Sequence, residues 1–214
     1  MHVVKICILI WCLASTIFAQ ELHVQLTWHN TAIQMQKAIK TEYDSVVITK
    51  CYMYLQCIKT PNSVQPLNFK TPVYLLKFDS VANIQIKIPN VNAQSDTLTF
   101  GIGIDSSLHA KGIQSGVLDP IHGMYWTWQS GYINFKLEGQ IKIQQHWQNF
   151  QFHIGGYRIP YNCFQYWNCF RQRYNLDLFE IVNPSFKLQQ FKIMSPGIEA
   201  LEFSKRIPYA FHNQ

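Results

Sequence analysis

The sequence lacks the local motifs that mark the commonest catalytic and metal centres. It has no nucleophile elbow, no phosphate-binding loop and no HExxH helix. Its histidines never occur as HxH, and it has no Cys-x-x-Cys-His segment for covalent haem attachment. We therefore expect a protein that is not an enzyme, and any metal site must be assembled from distant parts of the chain.

Charged residues are also scarce, at 14% of the 214 residues, and the formal net charge is +6. The lysines are spread over alternate positions of apolar segments, so no basic stripe predicts nucleic-acid binding. After the first twenty residues, no apolar run is long enough for a transmembrane helix. The absence of internal repeats and low-complexity tracts argues against a solenoid or a propeller.

Residues 1–19 have the features of a secretory signal peptide. Lys5 precedes an apolar run that ends at Ala19 and is shorter than a membrane span. Cys12 follows Trp11, whereas a lipid-attachment cysteine normally follows a small residue. We expect cleavage after Ala19, export to the periplasm or beyond, and one mature domain over residues 20–214.

Apolar and polar residues alternate along much of the mature chain, as in half-buried strands, and Asn, Gly and Pro separate the runs. The runs lie at 24–28, 46–49, 74–78, 84–88, 98–100, 133–137, 141–143, 150–154 and 176–178. They predict an all-β fold, a single antiparallel β-sandwich or barrel-like domain. Segments 105–114 and 196–205 are candidates for a few short helices.

Four cysteines remain after removal of the signal peptide, and an even number favours disulfides in an exported protein. Cys51 and Cys57 lie in one predicted strand, too far apart to bond with each other. Cys163 and Cys169 flank a loop-like aromatic segment and are candidates for a local bridge. Alternatively, each pairs with one of the first two cysteines, or thiolates bind copper.

Aromatic residues and glycines concentrate in Gly-Met-Tyr-Trp-Thr-Trp-Gln-Ser-Gly-Tyr at 123–132, and Phe-His-Ile-Gly-Gly-Tyr follows at 152–157. If the first segment is a strand, Trp126 and Trp128 share one face. They are then either core aromatics or part of a redox or metal site. In the second segment, the two glycines after His153 allow a backbone or a ligand to approach closely.

Asp105 and Asp119 precede Ser and Pro, respectively. Carboxylates in such positions commonly accept hydrogen bonds from backbone N–H groups in turns. We expect structural roles for both, and a hard-cation site is the alternative.

Five segments, taken in order, resemble the MbnP family of secreted bacterial proteins, which are related to the copper-binding protein of methanobactin operons. They lie at 101–106, 118–120, 123–132, 135–139 and 153–157. The resemblance is loose over most of the chain and close over 100–157. It implies copper as the bound metal and oxidation of Trp126 or Trp128 to kynurenine. The implied oxidant is a di-haem partner of the cytochrome c peroxidase type, an MbnH-like protein.

The same resemblance implies the metal ligands. His153, followed by a glycine-containing segment, is the first candidate, and His29 on the first strand is the second. His122, just before the tryptophan block, is the third candidate from its position in the chain, because family members vary there. From the residues alone, His153 is equally well a half-buried strand histidine, and a turn residue is the favoured role of His122.

We therefore expect an exported copper-binding or copper-handling protein, with an outer-membrane transporter system as a further candidate partner. The alternative from another class is a metal-free binding module whose aromatic patch engages a protein or a saccharide. In a third interpretation, the chain has lost copper and remains an electron-transfer substrate of the di-haem partner.

Overall fold

The computed structural model describes residues 20–59, 72–88, 98–170 and 172–214, with all their side chains except those of residues 20 and 57–59. The predicted signal peptide lies outside these residues. In the part of the chain that is described, no helix is long and apolar enough to cross a membrane. Strands dominate this part, which confirms the predicted all-β class.

The described chain forms fourteen strands and three α-helices. The strands are β1 (Gln20–Trp28), β2 (Thr31–Ala32), β3 (Ala38–Thr41), β4 (Asp44–Lys59), β5 (Val73–Phe78), β6 (Asn83–Ile88), β7 (Leu98–Ile102), β8 (Tyr125–Thr127), β9 (Gly131–Ile143), β10 (His146–Gly155), β11 (Gln165–Cys169), β12 (Arg173–Asp177), β13 (Lys192–Ile193) and β14 (Phe211–Asn213). The helices are α1 (Ser106–Ala110), α2 (Leu178–Lys187) and α3 (Ile198–Ser204). Three 3₁₀ turns lie at Gly116–Leu118, Pro120–His122 and Ile207–Ala210.

The strands form two sheets. The nine-stranded sheet has the order β11-β7-β4-β9-β10-β13, with β3 and β5 paired to β4 and β8 paired to β9. The five-stranded sheet has the order β14-β12-β1-β2, with β6 paired to β1. Most pairs are antiparallel, as predicted, but β1 pairs with β12 and β10 with β13 in parallel.

One apolar core joins the inner faces of the two sheets. Alternate residues of β1, among them Leu22, Val24 and Leu26, meet side chains such as Phe135 and Leu137 of β9, and all five are nearly or fully buried. Helices α2 and α3 contribute further buried side chains to this cluster. The period-two pattern of the sequence thus encodes the sandwich directly, because one face of each strand is apolar.

A second, smaller apolar cluster lies on the outer face of the nine-stranded sheet. Tyr54 of β4 and Tyr132 of β9 are fully buried there, with ring centroids 6.1 Å apart. Ile104, Leu118 and Met124 belong to the segment that covers them. This covering segment, residues 104–128, carries the tryptophan block across the outer face of the sheet.

The two predicted helical segments each contain a helix, and both helices are shorter than predicted. Asp105 begins α1 as its N-cap, accepting a hydrogen bond from the Leu108 N–H at 2.9 Å. Asp119 caps the second 3₁₀ turn in the same manner, through the Ile121 N–H at 2.9 Å. These contacts confirm the predicted structural roles of the two carboxylates.

Both predicted disulfide arrangements, the local bridge and the pairing with the first two cysteines, are wrong. Cys51 and Cys163 are buried thiols, so no bridge to either of them forms. Strand β11 begins two residues after Cys163 and ends at Cys169. Its extended chain alone spans roughly 13 Å between Cα atoms, which is too far for a disulfide between the two cysteines. Burial raises the pKa of the Cys163 thiol to about 11. The side chain of Cys57 lies outside the described residues.

Candidate functional site

A row of charged and polar side chains, the polar row, crosses three neighbouring strands on the outer face of the nine-stranded sheet. It consists of Lys50, Glu138 and His153. Lys50 of β4 lies opposite Glu138 of β9, and its Nζ is 3.0 Å from the Glu138 Oε2. His153 of β10 approaches from the other side, with its Nε2 2.7 Å from the Glu138 Oε1. Because Phe152 and Ile154 of β10 point into the core, His153 faces outward.

The electrostatics of this row keep Glu138 ionised. Burial alone would raise the pKa of Glu138, but hydrogen bonds from Lys50 and His153 and the charge of Lys136 outweigh it and lower the pKa. Burial lowers the pKa of His153, against the opposing effect of its hydrogen bond with Glu138. The ring of His153 is therefore neutral at neutral pH and faces a carboxylate.

Lys136 joins this row to the covering segment. Its side chain is 11% exposed, and its Nζ donates to the Gly123 carbonyl at 2.7 Å and lies 3.8 Å from the Glu138 Oε1. Burial lowers the pKa of Lys136, whereas the charge of Glu138 opposes that shift. The covering segment is thus attached to the polar row immediately before its tryptophan block.

Trp126 packs against the apolar cluster on the outer face of the sheet and lies over Gly155. Gly155 follows His153 by two residues on β10, and the pairing of β10 with β9 shifts register between Ile154 and Gly155. A Cβ atom added at Gly155 would lie 2.9 Å from Cζ3 of the Trp126 ring and 2.5 Å from the Tyr132 carbonyl oxygen. Only glycine leaves room for the indole at this point of the sheet. One predicted modified tryptophan therefore packs against β10 two residues from the predicted ligand His153.

The indole nitrogen of Trp126 is buried. In the described part of the chain, Nε1 has no hydrogen-bond partner. Buried polar atoms are nearly always hydrogen-bonded, and leaving one unpaired costs about 1–3 kcal/mol. A buried nitrogen without a partner, on a ring that packs two residues along the strand from His153, is what a binding site for a further group would show.

Trp128 lies beyond the end of β8 and outside the apolar cluster against which Trp126 packs, so the expectation that the two tryptophans share a face is wrong. The pairing of β8 with β9 shifts register between Tyr125 and Thr127, and β8 ends at Thr127. Trp126 is half-buried, but Trp128 lies beyond the strand with 75% of its surface exposed. The short, irregular strand removes the alternation on which the expectation rested.

His109 of α1 is a buried histidine that sequence reasoning did not single out. Its Nδ1 accepts a hydrogen bond from the Tyr132 N–H at 3.2 Å, and its ring stacks on Tyr157 with centroids 4.6 Å apart. Burial lowers its pKa to about 4. Its helix was predicted, but no sequence signal shows which face of so short a helix is buried.

The structure does not bring His29 to this surface. His29 and Asn30 have positive φ values, 49° and 59°, and form the two-residue turn between β1 and β2 in the smaller sheet. The His29 ring stacks on Phe179 at 3.7 Å, and its Nε2 lies 3.6 Å from a carboxylate oxygen of Glu42. Its proposed role as a ligand remains a sequence prediction.

His122 is nearer to the polar row. It ends a 3₁₀ turn one residue before Gly123, and its Nε2 donates to the Gly116 carbonyl at 3.1 Å. Across the described ranges, no group of three or more His, Cys, Asp or Glu side chains converges as a metal site. The three predicted histidine ligands therefore do not form one cluster.

Comparison with known proteins adds a family to this geometry. The family model described as MbnP matches residues 19–194. The chain belongs to the MbnP family. The resemblance inferred from the sequence is thereby confirmed, and the match includes both His153 and Trp126.

Among solved structures, this MbnP-family chain is similar to "MbnP from Methylosinus trichosporium". The two chains are 12% identical, the similarity covers 78% of each, and the TM-score is 0.53. An identity this low shows a shared fold. A search of curated protein sequences found no match.

Proposed function

We propose that this MbnP-family chain is an exported copper-handling protein, a binding protein rather than an enzyme. The observation that carries the proposal is the unpaired, buried Nε1 of Trp126, a residue whose ring packs with its Cζ3 edge over Gly155, two residues after His153. An imidazole nitrogen is a good copper ligand. Family membership makes copper the metal to test first.

The donor chemistry of this surface fits copper. Trp126 in its unmodified form supplies no ligand, since an indole N–H only donates. Oxidation of its ring by peroxide, through a peroxidase-type partner, would cleave the Cγ–Cδ1 bond, release Cδ1 as formate and give kynurenine, with an aromatic amine at the position of the unpaired nitrogen and a carbonyl at Cγ. His153 and the modified Trp126 would then hold copper on the outer face of the sheet. His122, which lies in the same covering segment as Trp126, would be the next histidine to consider.

The remaining parts of the proposal follow from this modification. Trp126 needs an oxidant from another protein, because the chain has no haem-attachment motif. A di-haem protein of the cytochrome c peroxidase type is the proposed partner, and an outer-membrane transporter system is a further one. Both fit export of the chain, for which residues 1–19 have the required sequence features.

The test is copper binding by protein isolated from the exported fraction of its native host. We expect His153→Ala to lose most bound copper. His146→Ala, on the same strand but exposed, is the matched control and should retain it. Equal copper in both variants, with folding intact, would remove His153 from the site.

A second candidate function comes from the exposed aromatic surface. Trp128 is 75% exposed and Ile159 is 93% exposed, which is unusual for side chains of this size. A metal-free module would use such residues to bind a protein or a saccharide. A host-exported protein that is folded, contains no copper and has unmodified tryptophans would favour this function.

A further inference from the structure

Within the polar row, the carboxylate of Glu138 determines which nitrogen of His153 is available to a metal. Glu138 is surrounded by three nitrogen groups: Lys50 at 3.0 Å, Lys136 at 3.8 Å and the His153 Nε2 at 2.7 Å. An ionised carboxylate accepts hydrogen bonds and donates none. The nitrogen of His153 that faces it must therefore carry the proton.

This arrangement leaves one nitrogen of His153 for other use. His153 is 7% exposed, and its hydrogen bond with Glu138 uses Nε2 and leaves Nδ1 outside that contact. In the Nε2–H form, Nδ1 holds the lone pair that a metal ion requires. A carboxylate that fixes the tautomer of a ligating histidine is a common arrangement around protein metals.

We propose that Glu138 is the positioning residue of His153, fixing it as the Nε2–H tautomer and presenting Nδ1 as the ligand atom for copper. The inference has two parts. The ligand half, that Nδ1 binds copper, rests on the proposed function. The tautomer half, that Glu138 fixes the Nε2–H form, concerns the metal-free protein and can be measured separately.

Lys50 determines which way a neutral amide at position 138 would turn, and this orientation provides a test. In Glu138→Gln, the amide has one accepting end and one donating end. The Lys50 ammonium needs an acceptor, so the amide oxygen turns toward Lys50 and the amide NH₂ toward His153. Nε2 must then accept, and the proton moves to Nδ1. Adding Lys50→Met removes this demand and lets the amide oxygen turn back to His153.

The experiment combines nitrogen NMR of the histidine rings with copper(I) titration of the host-exported protein. The His153 signals are assigned by their loss in His153→Ala. We expect the Nε2–H tautomer in the unsubstituted protein and a copper(I)-induced shift at Nδ1. Glu138→Gln should show the Nδ1–H tautomer and bind copper(I) about 10–100-fold more weakly. The Lys50→Met/Glu138→Gln variant should regain both properties.

Glu202→Gln is the matched control, because Glu202 forms an exposed pair with Lys205 at 2.6 Å and lies outside the polar row. It should match the unsubstituted protein in tautomer and affinity. An Nδ1–H tautomer in the unsubstituted protein overturns the inference, as does Glu138→Gln with unchanged tautomer and affinity. If the unsubstituted protein binds no copper(I), the proposed function and the ligand half fail, while the tautomer result still decides the role of Glu138.

Discussion

His109 gives the stability of this protein a dependence on pH that can be calculated from one side chain. The residue is 4% exposed, and burial lowers its pKa from 6.5 to about 4. The nearby Asn134 amide and the charge of Asp105 offset only part of this effect. In the unfolded chain, His109 returns to its ordinary pKa.

The sign and size follow from proton linkage. Between pH 6.5 and about 4, the unfolded chain binds a proton at His109 that the folded protein does not bind. Acid therefore favours unfolding, and the free energy of unfolding falls as the pH falls, by up to about 1.4 kcal/mol per pH unit. Over the full window, His109 accounts for a loss of about 3 kcal/mol.

The assay is urea unfolding across this pH window for three proteins: the unsubstituted chain, His109→Gln and His146→Gln. Glutamine binds no proton, so His109→Gln should lose less stability in acid, and its curve should approach that of the unsubstituted protein. His146 is exposed, so its variant should keep the original slope. Parallel pH profiles for His109→Gln and the unsubstituted protein would refute the reasoning.

Four further substitutions test the packing and the buried hydrogen bonds. Gly155→Ala should lower the free energy of unfolding by about 1–3 kcal/mol, because the new Cβ meets the Tyr132 carbonyl oxygen; thermal unfolding at an unchanged temperature would contradict this. Trp128→Ala should change stability by less than about 0.5 kcal/mol in urea unfolding, whereas Trp126→Ala should cost about 2–4 kcal/mol; equal losses would contradict their unequal burial. Asp177→Ala should cost about 2–4 kcal/mol, since its buried carboxylate accepts hydrogen bonds from three backbone N–H groups; a loss under about 1 kcal/mol by the same assay would be too small for this role.

The strands of this protein were largely predictable because their signal is local. Alternation in segment 84–88 requires one buried face, and the structure provides it. Alternation also identified the strand at 133–137, although both of its faces are buried there. Helix α2 was not predicted. It contains Pro184, an interior helix breaker by propensity, and its apolar face becomes recognisable only when packed against the core.

The tryptophan pair shows why a pattern is insufficient where strands are short. Alternation predicts a shared face for Trp126 and Trp128, but one register shift and an early strand end separate them. The cysteine pairings fail for a similar reason. The distance between Cys163 and Cys169 depends on whether the segment between them is a loop or a strand, and it is a strand.

The candidate site was predictable in part. Resemblance indicated His153 and either Trp126 or Trp128, and the fold packs Trp126 two residues along β10 from His153. Glu138 lies in segment 135–139, which resembles the family, but it was not predicted as part of the site. Its contact with His153 depends on the pairing of β9 with β10. No local spacing could show that His29 belongs to the other sheet.

The central claim is that Trp126 is the modified residue of a copper site that it shares with His153. Its most direct test is peptide mass spectrometry, with fragmentation between residues 126 and 128, on copper-replete protein exported by a host that contains the di-haem partner. We predict the kynurenine mass at Trp126, tryptophan at Trp128, and copper in the same sample. Copper bound to protein with both tryptophans intact, or kynurenine confined to Trp128, would contradict the claim.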